Sequence, residues 1–344
     1  MLAANAPSYF SRLVEFHRTP APPSMIDVAH LHWIARWLDL GSFVRSLPPG
    51  VPVVWTVHDM SPLAGGCFTD FGCGEFGNGC RRCPLLKWPC KYWWAHDEVC
   101  RREAILRGRR AAFVANSKST AMLVKRSQVA RGHRIEVIPP GFDFANMPEC
   151  DKSTAKAKWG LAADTFVLGF VAASLTDENK GIGRFQAVAK EVARHVPNTR
   201  ALLVGDGPAP ELVPSVKTGL LGKDAEMHDA YSAMDALVVT SKMESFGQVS
   251  VEAQARGTPV WAFAVGGMPE TLQNGKTGQL TEFGDISGLA EGIIKAKREN
   301  RLTAMGFEAS RFSRETFDHF RAASSYLSLY QKLKTNHDSL ATTD

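Results

Sequence analysis

The chain has 344 residues, enough for two domains with separate cores, and its 44% hydrophobic and 22% charged residues exclude a disordered or fibrous protein. Its net charge of +5 suits anionic ligands such as nucleotide diphosphates or an acidic membrane surface, and is too small to single out nucleic acid. No apolar run approaches the ~18 residues of a membrane span, and the start, Met1-Leu-Ala-Ala-Asn-Ala-Pro, lacks a basic stretch followed by an apolar core, so the expectation is a cytoplasmic protein.

In chain order, short apolar runs at 26–32, 53–57, 111–115 and 135–138 predict buried strands in the first half. Runs at 167–173, 201–204, 236–240 and 259–263 do the same in the second. Helical patterns at 184–195, 227–234, 247–256 and 286–299 alternate with the later strands, which predicts α/β architecture with parallel sheets covered by helices. Polar residues after Asp143 mark a boundary near 144–160, giving domains at 1–150 and 151–310. Residues 311–336 carry an amphipathic pattern (Phe312, Phe317, Phe320, Tyr326, Leu329, Tyr330, Leu333) and predict a C-terminal helix. The polar tail 337–344 predicts disorder.

The strongest chemical signal is Ser241-Lys-Met-Glu244-Ser245-Phe246-Gly247, followed by Glu252 and closed by Gly257 and Pro259. A strand delivers Glu244 to the carboxyl edge of a parallel sheet, where open α/β folds bind ligands. Gly247 then opens a helix whose first turn offers N–H groups to a phosphate, and Glu252 lies on that helix. Carboxylates suit sugar and ribose hydroxyls because they accept charge-assisted hydrogen bonds. Taken alone, two glutamates on a solvated helix explain the pattern equally well.

Other segments stand around this one in a fixed order: Leu202-Leu-Val-Gly205-Asp-Gly-Pro208, Val265-Gly266-Gly267-Met-Pro-Glu270, Asn274-Gly-Lys-Thr-Gly278 and Val137-Ile-Pro-Pro-Gly141-Phe-Asp143. Together they resemble the retaining GT-B glycosyltransferases of family 4 (glycosyl transferases group 1). His30-Leu-His32 and Trp55-Thr-Val-His58, with the Gly65-Gly66-Cys67 that follows, are similar to an exopolysaccharide, colanic-acid-type subgroup. The resemblance covers about residues 26–330. It implies two Rossmann-like domains facing a cleft, and transfer from a nucleotide-diphosphate sugar, with retention and no obligatory metal, to a glycan or lipid-linked acceptor. Bacterial surface-polysaccharide synthesis, with peripheral contact at the inner membrane and no nucleic-acid partner, is the implied setting.

By position, the resemblance gives Glu252 the ribose hydroxyls and Glu244 the donor sugar. Ser245, Phe246 and Gly247 line the donor, with backbone presented to sugar and phosphate. Lys180, in Asp177-Glu-Asn-Lys180-Gly181, would neutralise the departing diphosphate, and His58 would face the acceptor or the reacting centre. Gly205, Gly266, Gly267 and Glu270 complete the donor set. A solvated loop lysine and a structural histidine are the plain alternatives for Lys180 and His58.

Two departures from the family pattern stand out. Ser174 occupies the position where an arginine is expected, leaving the diphosphate site one cation short unless Arg184 or Lys242 substitutes. Residues 1–25, with Ala-Pro-Ser and Thr-Pro-Ala-Pro-Pro, replace the usual first strand and glycine turn, so the N-terminal domain is expected to lack its first βαβ unit. That makes a non-catalytic nucleotide-sugar-binding protein a competing reading. Another GT-B enzyme, such as a sugar-nucleotide epimerase or a phosphorylase, is a third.

Six of the seven cysteines lie between Cys67 and Cys100, in an insertion spanning 65–100. Cys67, Cys73, Cys80 and Cys83 could supply a structural zinc, the Cys80-x2-Cys83 pair being one familiar half-site; buried free thiols or a redox pair fit the spacing as well. The basic stretch 101–110, preceded by Tyr92-Trp-Trp94, reads as a solvated helix face or as a patch for anionic lipid.

Overall fold

The computed structural model describes residues 25–335 except 35–37, 70–71, 89, 146, 148–149, 211–212 and 223. The start of the chain, whose missing βαβ unit was expected, and the polar tail 337–344 lie outside these residues. Two compact units emerge, one from the described parts of Met1–Pro139 and Ala323–Asp344, the other from Pro140–Ala322.

The first unit holds four parallel strands, β1 (Ala29–Leu31), β2 (Val53–Val57), β3 (Ala111–Ala115) and β4 (Arg134–Val137), in the order β1-β2-β3-β4. Strands β2 and β3 are buried along their whole length, as expected for unbroken Val, Trp, Phe and Ala runs covered on both faces. Helices α1 (Leu40–Ser46), α2 (Trp94–Leu106) and α3 (Lys118–Arg126) connect them. Asp39 and Ser117 cap α1 and α3 by accepting from the Ser42 and Thr120 amides.

The second unit opens with α4 (Lys152–Lys158) and contains β5 (Phe166–Ser174), α5 (Ile182–His195), β6 (Thr199–Asp206), β7 (Ser215–Gly219), α6 (Asp224–Ala233), β8 (Ala236–Val239), α7 (Gln248–Ala255), β9 (Val260–Phe263), β10 (Gly278–Thr281), α8 (Ile286–Arg298) and α9 (Leu302–Thr316). Its six strands are all parallel, in the order β10-β9-β8-β5-β6-β7. Winding proceeds outward from β5 to β7, then restarts beside β5 at β8. The reversal between β5 and β8 is the topological switch point, where the loops leaving two neighbouring strands diverge and open a crevice.

Residues 311–336 were expected as one helix; the described ones, 311–335, lie instead in α9 and in α10 (His319–Thr335), which meet at Phe317-Asp318. The joint is pinned from outside: the Phe142 amide donates to the Phe317 carbonyl at 2.8 Å, and the His319 amide donates to the Phe142 carbonyl at 3.2 Å. These bonds tie the Gly141-Phe142-Asp143 segment to the second unit, so the division falls at Pro139–Pro140 and Ala322–Ala323 rather than at 150 and 310. Of the expected apolar stripe, Phe317, Leu329 and Leu333 are buried, whereas Phe320 is exposed.

The basic stretch 101–110 is largely consumed by structure. Arg102 is buried against Glu98 and the Ala64 carbonyl, Arg101 bridges Glu98 and Asp39, and Arg110 donates to the carbonyls of Leu333 and Gly50. Arg107 keeps to solvent, in a surface pair with Glu103.

Candidate functional site

In the second unit, β5 and β8 deliver two loops to the switch point. Thr240, fully buried just after β8, donates its hydroxyl to the carbonyls of Lys180 and Gly181 at 3.1 and 3.0 Å. Asn179 completes the bond between the loops: its amide nitrogen donates to the Met243 carbonyl, its amide oxygen accepts from the Met243 N–H, and its own carbonyl accepts from Lys242. The outcome is a salt bridge of 2.6 Å between Lys180 Nζ and Glu244 Oε1, with the Ser241 hydroxyl donating to the same oxygen at 2.6 Å. Both charged side chains keep some solvent access, 27% for Lys180 and 11% for Glu244, so a ligand can reach the pair.

Glycines let the backbone approach closely here. Gly266 has φ 54°, and a Cβ on it would lie 1.8 Å from the Glu244 carbonyl oxygen, inside any real contact distance. The same carbonyl accepts from the Gly267 amide at 2.9 Å, so the Gly266-Gly267 turn after β9 packs directly on the Glu244 loop. Glu270 ends the short 3-10 turn that follows. Gly247, at φ 103°, N-caps α7 in a left-handed conformation, and its carbonyl accepts from the Ser250 amide at 3.0 Å. Gly205 answers a packing need: its Cβ would collide with the Ala172 carbonyl of β5.

Glu252 projects from α7 toward α6, where the hydroxyl of buried Tyr231 donates to its Oε2 at 2.6 Å. Burial raises the Glu252 carboxyl above its usual range, the Tyr231 hydrogen bond opposes that, and nearby Asp224 adds to the rise. Oε1 has no hydrogen-bond partner among the described residues, which leaves one oxygen of an oriented carboxylate for a ligand's hydroxyls.

The Phe246 side chain is core, 2% exposed and edge-on to Phe317 at 5.4 Å, which leaves its backbone as the part that can face a ligand. The structure departs from the sequence reading at two further points. Arg184 does not replace the arginine absent at Ser174: its guanidinium donates to the carbonyls of Thr240, Glu178 and Asn179 and stiffens the loop instead. The zinc expectation also fails, because no group of three or more His, Cys, Asp or Glu side chains among the described residues is arranged to hold a metal ion. Cys80 and Cys83 are buried free thiols, Cys67 is half-buried and Cys73 exposed. Burial pushes the Cys80 thiol up to about 11, and its sulfur accepts from the Gly65 amide.

In the first unit, three imidazoles gather at the carboxyl ends of β1 and β2. His58 Nε2 lies 3.0 Å from His32 Nδ1, and the rings of His30 and His32 are 4.1 Å apart. His30 is fixed by Tyr330 through Nδ1 at 2.6 Å and by Thr56 through Nε2 at 2.8 Å. Burial, then the neighbouring imidazoles, lowers His30 to about 4; burial likewise lowers His32 and His58. Each shift favours the neutral form, and across the His32–His58 contact one ring nitrogen donates and the other accepts, so their tautomers are linked. The i, i+2 spacing of His30 and His32, on β1 and just past its end, could have signalled this cluster. Nothing comparable announced Tyr231 or Asn179.

Two Rossmann-like parallel sheets, one carrying a switch-point loop pair of this kind, define the GT-B class of proteins. Family models agree: one described as Glycosyl transferases group 1 matches residues 165–298, and one described as Glycosyltransferase Family 4 matches residues 5–146. A D-inositol 3-phosphate glycosyltransferase from Rhodococcus jostii is 31% identical over 335 residues, covering 92% of this chain and 68% of that protein. An N-acetyl-alpha-D-glucosaminyl L-malate synthase from Bacillus anthracis is 31% identical over 191 residues, covering 52% of this chain and 49% of the relative. Among solved structures, HepE of Anabaena in complex with UDP and glucose matches with a TM-score of 0.64 at 19% identity, covering 89% of this chain and 78% of that one. Sucrose-phosphate synthase from Thermosynechococcus elongatus matches with a TM-score of 0.66 at 21% identity, covering 90% and 74%. This chain belongs to the group 1, family 4 glycosyltransferases. Its aligned stretches span from 49% to 71% of the length of the curated D-inositol 3-phosphate glycosyltransferases it matches.

Proposed function

We propose that this chain transfers a sugar from a nucleotide-diphosphate donor, with retention of anomeric configuration, to a glycan or lipid-linked acceptor in cell-surface polysaccharide synthesis. The observation that carries the reading is the Lys180–Glu244 pair at the switch point, 2.6 Å apart and open to solvent. As the bond from sugar to diphosphate breaks, negative charge grows on the leaving phosphate. An ammonium already fixed by Glu244 and the Asn179 loop stabilises that charge without reorganising at the moment of reaction. Glu244 Oε2 accepts from donor-sugar hydroxyls, and Glu252 Oε1 accepts from the ribose. The first-turn amides after Gly247 and the Gly266-Gly267 turn receive phosphate and sugar oxygens. His58, neutral and steadied by His32, faces the acceptor. Ser245 and Glu270 line the donor pocket of the second unit. No metal is assigned a role in the transfer.

A second reading of the acceptor comes from the relatives' names, which specify inositol 3-phosphate and malate. Both acceptors are small polyhydroxylated or carboxylated anions, and the chain's +5 charge suits them. Donor turnover with UDP- and GDP-sugars, followed by transfer to small anions and to lipid-linked glycans, separates the two. Lys180→Ala should reduce turnover by about 10²–10³-fold with a smaller change in donor affinity. Glu252→Ala should chiefly weaken nucleotide binding. Parent-like turnover and binding in both variants would sink the site assignment, and a product of inverted configuration, read from its anomeric NMR coupling, would overturn retention.

A further inference from the structure

We propose that Trp33 and Asp59 form a stacking platform for a neutral pyranose ring of the acceptor; this deepens the reading of His58 as the acceptor-facing group and rests on it. Two consecutive residues leaving β1 meet two consecutive residues leaving β2. His32 contacts His58 at 3.0 Å, and Trp33 Nε1 donates to Asp59 Oδ2 at 3.0 Å. Asp59 is itself fixed, because its Oδ1 accepts from the Ser61 amide at 2.7 Å. The indole is therefore held in one orientation while 51% exposed. Phe68 stands beside it, with ring centroids 6.1 Å apart and tilted by 45°, and the Phe68 carbonyl accepts from the Met60 amide at 2.9 Å. A scattered exposed tryptophan needs no explanation. One aimed by a carboxylate that is held at both oxygens, next to the imidazole corner, is a prepared surface.

The chemistry of the platform fits a sugar ring. C–H bonds on one face of a pyranose carry partial positive charge and meet the negative face of an indole, while the hydroxyls at the ring's edge need polar partners. Asp59 keeps a lone pair on each oxygen for such hydroxyls. A fixed carboxylate accepts from hydroxyls but repels a phosphate or a second carboxylate. Burial favours the neutral forms of His32 and His58, although Asp59 opposes it at His58, so the corner offers little positive charge in return. The platform thus favours a neutral glycan over the small anions that the relatives' names specify.

The test is saturation-transfer NMR on the full chain, without donor, using methyl β-D-glucopyranoside and methyl β-D-galactopyranoside as probes and malate and inositol 3-phosphate as competitors. Saturation should pass to the ring C–H protons of a pyranoside, and neither anion should displace it. Trp33→Ala should weaken pyranoside binding by about 3–10-fold. Trp33→Phe, which keeps a ring face, should retain part of the binding. Trp88→Ala, at a tryptophan that is 81% exposed elsewhere in the unit, should bind as the parent does. The proposal is overturned by no transfer to either pyranoside, by displacement with the anions, by parent-like binding in Trp33→Ala, or by equal losses in Trp33→Ala and Trp88→Ala. Failure of the transfer reading is seen separately, as absence of nucleotide-sugar turnover in the parent.

Discussion

Lys180 and Glu244 are 64 positions apart and meet because each follows a strand adjoining the switch point. Their pairing changes how the lysine should be pictured: an ammonium already aimed by a carboxylate, rather than a mobile loop charge. The histidines follow a different logic. His30 is held neutral by burial, at about 4, with neighbouring imidazoles adding to the effect. A histidine whose folded value lies below its unfolded one leaves the unfolded chain binding more protons in between. Its contribution to stability is therefore complete above about pH 6.5 and is lost as the pH falls toward 4. Thermal melts at stepwise lower pH should show the first unit weakening across that window, with a smaller slope in His30→Gln. Identical slopes would mean that His30 does not drive the loss.

At the scale of elements, the apolar run decided how much could be read. The central strands β2, β3, β5, β6, β8 and β9 were legible because burial on both faces demands unbroken apolar runs. Edge strands β1 and β4 were read as well, from the runs at 26–32 and 135–138. Edge strands β7 and β10, Ser-Val-Lys-Thr-Gly and Gly-Gln-Leu-Thr, are half-buried and carry no such run, so they were missed. The glycine turn after β9 was legible by its residues, but its purpose was not: Gly266 clears space for the Glu244 peptide. Gly266→Ala should therefore cut turnover by at least ~10-fold and cost about 1–3 kcal/mol of stability through backbone strain and displacement of the Glu244 loop. Gly275→Ala is the control, since it shares a positive φ of 79° but has open space around its Cβ. Equal effects from both in denaturant melts and turnover would attribute everything to backbone conformation alone.

At the scale of the whole molecule, the chain's last helix serves the first unit. From Ala323 on it belongs with residues up to Pro139, where Leu329 and Leu333 are buried, Tyr326 bonds Thr56 and Tyr330 bonds His30. A chain ending at Ala322 loses two buried leucines, worth roughly 3–6 kcal/mol together, a large part of a domain's stability. Limited proteolysis and hydrogen exchange should find the first unit opened and Pro140–Ala322 protected. Uniform protection across both units would mean that the returning helix adds little.

The sequence by itself determined the α/β class, the central strands and the order of the motifs around Glu244, because apolar runs and glycine positions are local demands of burial and backbone geometry. Only the tertiary structure decided that Lys180 is already paired, that Tyr231 orients Glu252, that Arg101, Arg102, Arg110 and Arg184 are structural, and that three histidines share one corner. Those facts depend on which loops the strand order brings side by side, and pairings across 64 or 300 positions leave no trace in local spacing.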